Sequence, residues 1–301
     1  SSNLNQSSLK KQCFFPKDAQ IINNPTGTAP GMIWEPISGF TILTFPGVPS
    51  EMKAMWKETA VDYIKKNFSD GYKFFSCNLK FAGIGESTVA EKINHLLKLK
   101  NPTVAPYANL GDLKLRITAR AQSEVEAKNL IKPVKKELKR EFSKFIFGED
   151  DDNLSSILIK NLINRRESLG FAESCTGGLL SSTITSISGS SQVFKGSIIS
   201  YSDELKQSLL NIPENLIKKY GAVSEEVAQE MAINAKEKLN SDWSIAISGI
   251  AGPSGGSKDK PVGLVYVSIA GPNDFITNIK KIFSSNRKRI EIQRLSVNVC
   301  L

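Results

Sequence analysis

The feature that most constrains this 301-residue chain is the order of patterns in its second half. From residue 153 onward, helical and apolar strand patterns alternate. Helices are predicted over 154–166, 176–187 and 224–239, with strands over 170–174, 197–201, 243–250, 262–270 and 275–283 and a last helix from about 286. Val227, Met231, Ala235 and Leu239 fall on one helical face. Such alternation specifies an α/β layered domain, and about 150 residues suffice for its core.

The first half reads differently. Residues 72–147 give strand, helix, strand, strand, helix. Val89, Ile93, Leu96 and Leu97 mark a helical face, and Leu113, Leu115, Ile117 and Ala119 alternate with polar neighbours as in a half-buried strand. A long helix is expected from Ser123, with a bend at Pro133. Residues 1–68 hold a loop, Asn24-Pro-Thr-Gly-Thr-Ala-Pro-Gly31, a strand near 41–45 and a helix over 50–66 capped by Ser50. Gly148-Glu-Asp-Asp-Asp-Asn153 reads as a linker or exposed turn. The expected domains are therefore 1–68, 69–148 and 153–301.

Composition narrows the chemistry. His95 is the single histidine, so multi-histidine zinc sites are impossible and a Ser-His-Asp triad would have to recruit that residue. Cys13, Cys77, Cys175 and Cys300 form no CxxC pair, which fits a reducing cytoplasm. No apolar stretch reaches transmembrane length and no membrane partner is expected. The chain does not begin with Met and is expected to be part of a longer one. The net charge of +9 is spread evenly over the two halves. Lys135, Lys136, Lys139, Arg140 and Lys144 could face RNA, but Glu137 and Glu141 make a solvated helix face the preferred reading.

Four segments carry candidate chemistry. In Ala172-Glu-Ser-Cys-Thr-Gly-Gly178 a strand runs into a helix through a turn bearing Ser174, Cys175 and Thr176, and its amides could hold a phosphate or an oxyanion. A simple cap by Ser174 or Thr176 is the competing reading. Ser248-Gly-Ile-Ala-Gly-Pro-Ser-Gly-Gly256 is a glycine-rich turn without the Lys-Ser/Thr ending of a P-loop. Tyr201-Ser-Asp-Glu-Leu-Lys206 offers a lysine that, once desolvated, can act as a serine's base. Arg287 lies in Ser285-Asn-Arg-Lys288.

Together Glu173-Ser-Cys-Thr-Gly-Gly178, Tyr201-Ser-x-x-x-Lys206, Gly221-Ala-Val-Ser224, Ser248-Gly-Ile-Ala-Gly-Pro253, Lys260-Pro-Val-Gly263 and Phe283-x-x-x-Arg287 resemble the competence/damage-inducible protein A (CinA) family. The resemblance implies a C-terminal domain similar to nicotinamide mononucleotide amidohydrolase, which converts the mononucleotide and water to nicotinate mononucleotide and ammonia. It also implies a KH-like α+β domain over 69–148. Asn24-Pro-x-Gly-Thr-Ala-Pro-Gly31 and Pro46-Gly-Val-Pro-Ser-Glu-Met52 look like the second half of a molybdopterin-binding-like α/β domain. That domain's Gly-Gly-Leu-Gly-Pro-Thr segment is not in the chain. The family's usual Gly-Asp before the arginine is replaced by Ser285-Asn286, and a second arginine by Glu291.

By this resemblance Ser174 is the nucleophile, Lys206 its base and Tyr201 their orienting partner. Cys175, Thr176, Gly177, Gly178, Ser248, Gly249 and Gly252 contact substrate, and Arg287 meets the 5′-phosphate. No cofactor is expected for the hydrolase, and a divalent metal enters only with a complete N-terminal domain. A nucleotide substrate and a homodimer are the implied partners; nucleic acid is not. The alternatives are a non-catalytic nucleotide- or RNA-binding protein linked to competence or DNA damage, and a residual ADP-ribose pyrophosphatase.

Overall fold

The computed structural model describes residues 14–109 and 112–301, so Cys13 and the start of the 1–68 segment lie outside the described residues. The chain divides into two compact units between Lys73 and Phe74.

In the first unit, strands β1 (Gln20–Ile22), β2 (Gly31–Ile37) and β3 (Phe40–Thr44) form an antiparallel meander. They are followed by helix α1 (Pro49–Met55), a π-helical turn (Trp56–Ala60) and helix α2 (Val61–Phe68). The first two strands were not anticipated. The helix begins with Pro49 at its first turn and Val48 at the N-cap, in place of Ser50. Asn24 organises the preceding loop by donating to Ala29 O (2.9 Å) and Glu51 Oε2 (2.7 Å). Ile22, Ile33 and Met55 make a small core, while Ile37, Phe40 and Trp56 remain exposed.

Strand β4 (Lys73–Phe81) begins at the division and leads the second unit, followed by α3 (Glu86–Lys92), α4 (Asn94–Leu97), β5 (Thr103–Asn109), β6 (Asp112–Ala121), α5 (Glu124–Glu141) and β7 (Ile146–Glu149). These strands form one sheet in the order β5-β6-β4-β7. Ser123 caps α5 by accepting from the Glu126 amide at 3.2 Å. Ala127, Ile131, Val134 and Leu138 recur at helical spacing and bury its inner face. The helix runs unbroken through Pro133.

The acidic stretch divides: Asp150 and Asp151 form the exposed turn that the sequence allows, while a linker is not what precedes them. Gly148 and Glu149 belong to β7, Glu149 pairs with Lys135 and Lys139, and the Glu149 amide donates to Asp152 at 2.9 Å. Asn153 then caps the next helix in a reciprocal capping box with Ser156. The acidic groups are absorbed locally, and the chain passes directly into the following layer.

That layer comprises α6 (Leu154–Arg165), β8 (Leu169–Glu173), α7 (Leu179–Thr185), β9 (Phe194–Ile199), α8 (Asp203–Leu210), α9 (Glu214–Tyr220), α10 (Glu225–Lys238), β10 (Trp243–Gly249), β11 (Leu264–Ala270), β12 (Ile276–Ile282) and α11 (Arg289–Cys300). The sheet order is β12-β11-β10-β8-β9. β10, β8 and β9 run parallel; β11 and β12 are antiparallel additions.

Central strand β8 is buried along its whole length because both faces are covered. Phe171, Ile245 and Ile247 pack into one core with Ile159, Leu180, Ile184 and Ile292. The small Ala172 and Ala246 admit α10, whose Val227, Met231 and Ala235 pack on the other face. Ser174, Ser200 and Gly249 thus come together at the carboxyl ends of three parallel strands, where open α/β sheets form their crevices.

Candidate active site

The turn after β8 is shaped by a buried carboxylate. Glu173, fully buried, accepts hydrogen bonds from the Thr176 hydroxyl (2.7 Å) and the amides of Gly178 (3.0 Å), Leu180 (3.1 Å) and Ser181 (2.9 Å). The Ser181 hydroxyl also donates to it. Orphan amides at a helix start need acceptors, and an anion there complements the helix dipole. The helix begins at Leu179 rather than Thr176, with Gly178 at the N-cap (φ +99°) and no side-chain cap from that residue. The expectation that Ser174 or Thr176 caps it is therefore corrected.

Two further parts of the sequence expectation change. The Thr176 hydroxyl and Gly178 amide are committed to Glu173, and the Gly177 amide donates to Ser174 O at 3.1 Å. Among the described residues, the amides of Cys175 and Thr176 have no acceptor. They are the donors that this turn can still offer to a ligand.

Lys206 enters from α8. Ser202 caps that helix by accepting from the Leu205 amide at 3.2 Å, which places Lys206 on the first turn facing the sheet. Its Nζ donates to Ser200 O at 3.0 Å and to Ser174 Oγ at 3.3 Å. Ser174 is 8% exposed and Lys206 only 1%. Burial lowers the lysine's pKa below its usual range, and Asp203, with Oδ1 4.0 Å from Nζ, partly opposes this. Burial also raises the Cys175 thiol to about 12, which leaves it protonated near neutral pH and favours Ser174 as the nucleophile of this turn.

The remaining motifs build walls. A cleft of about 250 Å³ is lined by Ser174, Cys175, Tyr201, Lys206, Ser248 and Arg289, together with the 249–255 loop. Ser248 donates to Ala222 O at 2.7 Å. Lys260 pins the adjoining turn by donating to Tyr220 O and, at 2.7 Å, to Val223 O. These bonds explain Gly221-Ala-Val-Ser224 and Lys260-Pro-Val-Gly263 as the frame of the cleft.

Arg287 does not line the cleft; Arg289 does. The last helix starts at Arg289, three residues later than expected. Arg289 donates to Gly252 O at 2.8 Å and to the Tyr201 hydroxyl at 2.6 Å. Tyr201, 56% exposed, therefore meets the arginine rather than the serine–lysine pair. Thr176, Gly177 and Gly178 also lie outside the cleft lining, whereas Ser248, Gly249 and Gly252 lie within it. Sequence reasoning missed Glu173 and Arg289 as functional side chains. A buried acid at a strand end before a Gly-Gly helix start was the available signal for the first.

His95 pairs with Glu137 in the preceding domain (2.6 Å) and is not part of the cleft. A larger cavity of about 920 Å³ lies between β4 and α5, with Phe75, Ala127 and Ile131 among its walls and lysines at its rim. Of these lysines, Lys128 pairs with Glu124, while Lys135 and Lys139 pair with Glu149, as a solvated helix face would. Among the described residues, no helix is long and apolar enough to cross a membrane.

The family "CinA C-terminal domain" matches residues 151–301, and "Damage-inducible protein CinA KH domain" matches 76–148. The CinA-like protein of Prochlorococcus marinus subsp. pastoris (strain CCMP1986 / NIES-2087 / MED4) is 83% identical over 300 residues, covering 100% of this chain and 69% of its own. The CinA-like protein of Synechococcus sp. (strain RCC307) is 48% identical over 295 residues, covering 98% and 70%. The crystal structure of competence/damage inducible protein CihA from Agrobacterium tumefaciens is 32% identical, with a TM-score of 0.48, and covers 49% of this chain and 88% of that one. The chain, with its CinA C-terminal layer and its KH domain, belongs to the CinA family.

Proposed function

We propose that the cleft hydrolyses a carboxamide, with nicotinamide mononucleotide as the substrate and nicotinate mononucleotide and ammonia as products. The observation that carries this reading is Lys206 Nζ, buried and 3.3 Å from Ser174 Oγ at the cleft floor. Burial lowers the lysine's pKa and so favours its neutral form, the form that can take a serine proton without histidine. The choice of nicotinamide mononucleotide among carboxamides rests on the resemblance of the C-terminal motifs.

Ser174 Oγ attacks the carboxamide carbon as its proton passes to Lys206 Nζ. The amide of Cys175, in the cleft lining beside Ser174, meets the developing oxyanion. Collapse breaks the C–N bond, and the proton on Lys206 leaves with the amino group as ammonia. Water, deprotonated in turn by Lys206, cleaves the ester and releases the acid. A second route uses the same pair to position water for direct attack.

The test is product analysis after incubation of the full chain with nicotinamide mononucleotide. Equimolar ammonia and nicotinate mononucleotide support the reading; a folded chain yielding neither overturns it. Rapid quenching that traps an ester on Ser174 selects the covalent route, and its absence during turnover selects the direct one.

A further inference from the structure

We propose that the cavity between β4 and α5 is a docking groove for an extended peptide segment of a partner protein, bearing acidic and apolar side chains, which adds a strand to the free edge of β4. The first observation is that edge. β7 is four residues long and pairs with β4 at Leu79, Lys80 and Phe81. Asp150 extends the contact by one residue: the Asn78 amide donates to its Oδ1 at 2.8 Å, and its own amide donates to Asn78 O at 3.0 Å. The chain then turns away toward α6. Alternate residues of a strand direct their amide and carbonyl to the same edge, so Phe74 and Ser76 share the edge that Asn78 presents to Asp150. The other edge of β4 faces β6, and among the described residues no strand pairs with this one at Phe74 and Ser76.

The second observation is what stands beside the edge. The cavity of about 920 Å³ opens here, with Phe75, Cys77, Ala127 and Ile131 as its apolar wall and Phe74, 75% exposed, at its mouth. An unpaired edge alongside an apolar slot is the arrangement by which proteins accept a peptide as an extra strand: the backbone gives affinity, and pockets for alternate side chains give selectivity. Phe75 and Cys77 share the α5 face of β4 with Leu79 and Phe81. A strand added to this edge therefore directs every second side chain toward α5.

Charge selects the occupant. Lys128, Lys132 and Lys136 recur every four residues along the groove, a spacing at which like charges repel. Glu124 pairs with Lys128, and Glu149 holds Lys135 and Lys139. Lys132 and Lys136 are exposed and, among the described residues, in no ion pair. Two free cations fit a segment carrying a few acids among apolar residues. They fit a nucleic-acid strand less well, because its continuous row of phosphates would also face Glu124 and Asp150 in the same wall.

The probe is a fluorescein-labelled peptide of three glutamate-threonine-valine-threonine repeats, which places glutamate and valine on one face of an extended strand. Its anisotropy is followed against the full chain at low salt. Saturable binding is expected, weakened about tenfold or more by the double substitution Lys132→Glu and Lys136→Glu, and weakened likewise at about 0.5 M salt. Both lysines are exposed, and circular dichroism checks that the variant is folded. Only one edge of the added strand meets β4. Methylating the amide nitrogens of one alternate set of peptide residues should therefore abolish binding, and methylating the other set should not.

No saturable binding by the folded wild type, equal binding by the charge variant, or the same response to both methylations would overturn the inference. Tighter binding of a uridine oligonucleotide that the same variant loses would assign the groove to nucleic acid and overturn it as well. So would self-association of the chain in sedimentation that the variant disrupts, because a second copy would then fill the groove.

Discussion

The carboxylate of Glu173 accepts the Thr176 hydroxyl at 2.7 Å and, across the same turn, the amide of Ser181 at 2.9 Å. A strand-end acid therefore ties down both the turn that carries Ser174 and the first turn of α7. Glu173→Gln replaces one acceptor oxygen by a donor facing amides that need acceptors. The expected cost is about 2–4 kcal/mol in chemical denaturation, with a fall in kcat larger than any change in KM. A variant as stable and active as the wild type would remove Glu173 from this role.

Lys206 must be neutral to take a proton. Because burial lowers its pKa, kcat/KM should rise with pH along a limb whose apparent pKa lies below 10.5. The folded state releases this proton at lower pH than the unfolded chain does. Stability should therefore rise with pH between the lowered value and 10.5, and this contribution should vanish in Lys206→Met. Lys206→Arg, permanently charged, should be inactive. Rate and denaturation profiles flat over that window would contradict the assignment.

Cys175 is buried and its thiol stays protonated near neutral pH. Iodoacetamide at pH 8 should leave Cys175 and Cys300 unmodified while the chain is folded, as read by peptide mass spectrometry, because the thiolate is the reactive form. Rapid alkylation of Cys175 with loss of activity would argue for a thiol nucleophile instead.

Gly263 has φ +94°, and a Cβ there would lie 2.1 Å from Phe283 O. Its amide donates to Ile250 O (2.8 Å), and its carbonyl accepts from the Phe283 amide (2.9 Å), closing the base of the 250–263 loop. Gly263→Ala should destabilise the chain by roughly 2–4 kcal/mol and lower its melting temperature. An unchanged melting temperature would show that this backbone can relax.

Much of the site is readable from spacing. Ser174 follows the end of β8, Ser248 is the penultimate residue of β10 and Lys206 sits on the helix after β9, and parallel strands gather their carboxyl ends regardless of loop detail. The start of α7 was not readable, because Glu173 supplies its cap through space from the preceding strand and not from an N-cap position. Arg287 and Arg289 could not be told apart, since which one faces the cleft depends on where α11 begins. β7 escaped notice because it is four residues long and ends in Glu149, the first acid of a run that looks solvated in sequence, yet Lys135 and Lys139 neutralise Glu149.

The most direct test of the central claim is ammonia release from nicotinamide mononucleotide by the full chain beside Ser174→Ala and Lys206→Ala, with folding checked by circular dichroism. Turnover by the wild type that falls by about 10³-fold or more in each folded variant, with the double variant no worse than either single one, is the predicted result for two groups acting as a unit. Turnover surviving either substitution, or absent from a folded wild type, would contradict the Ser174–Lys206 dyad.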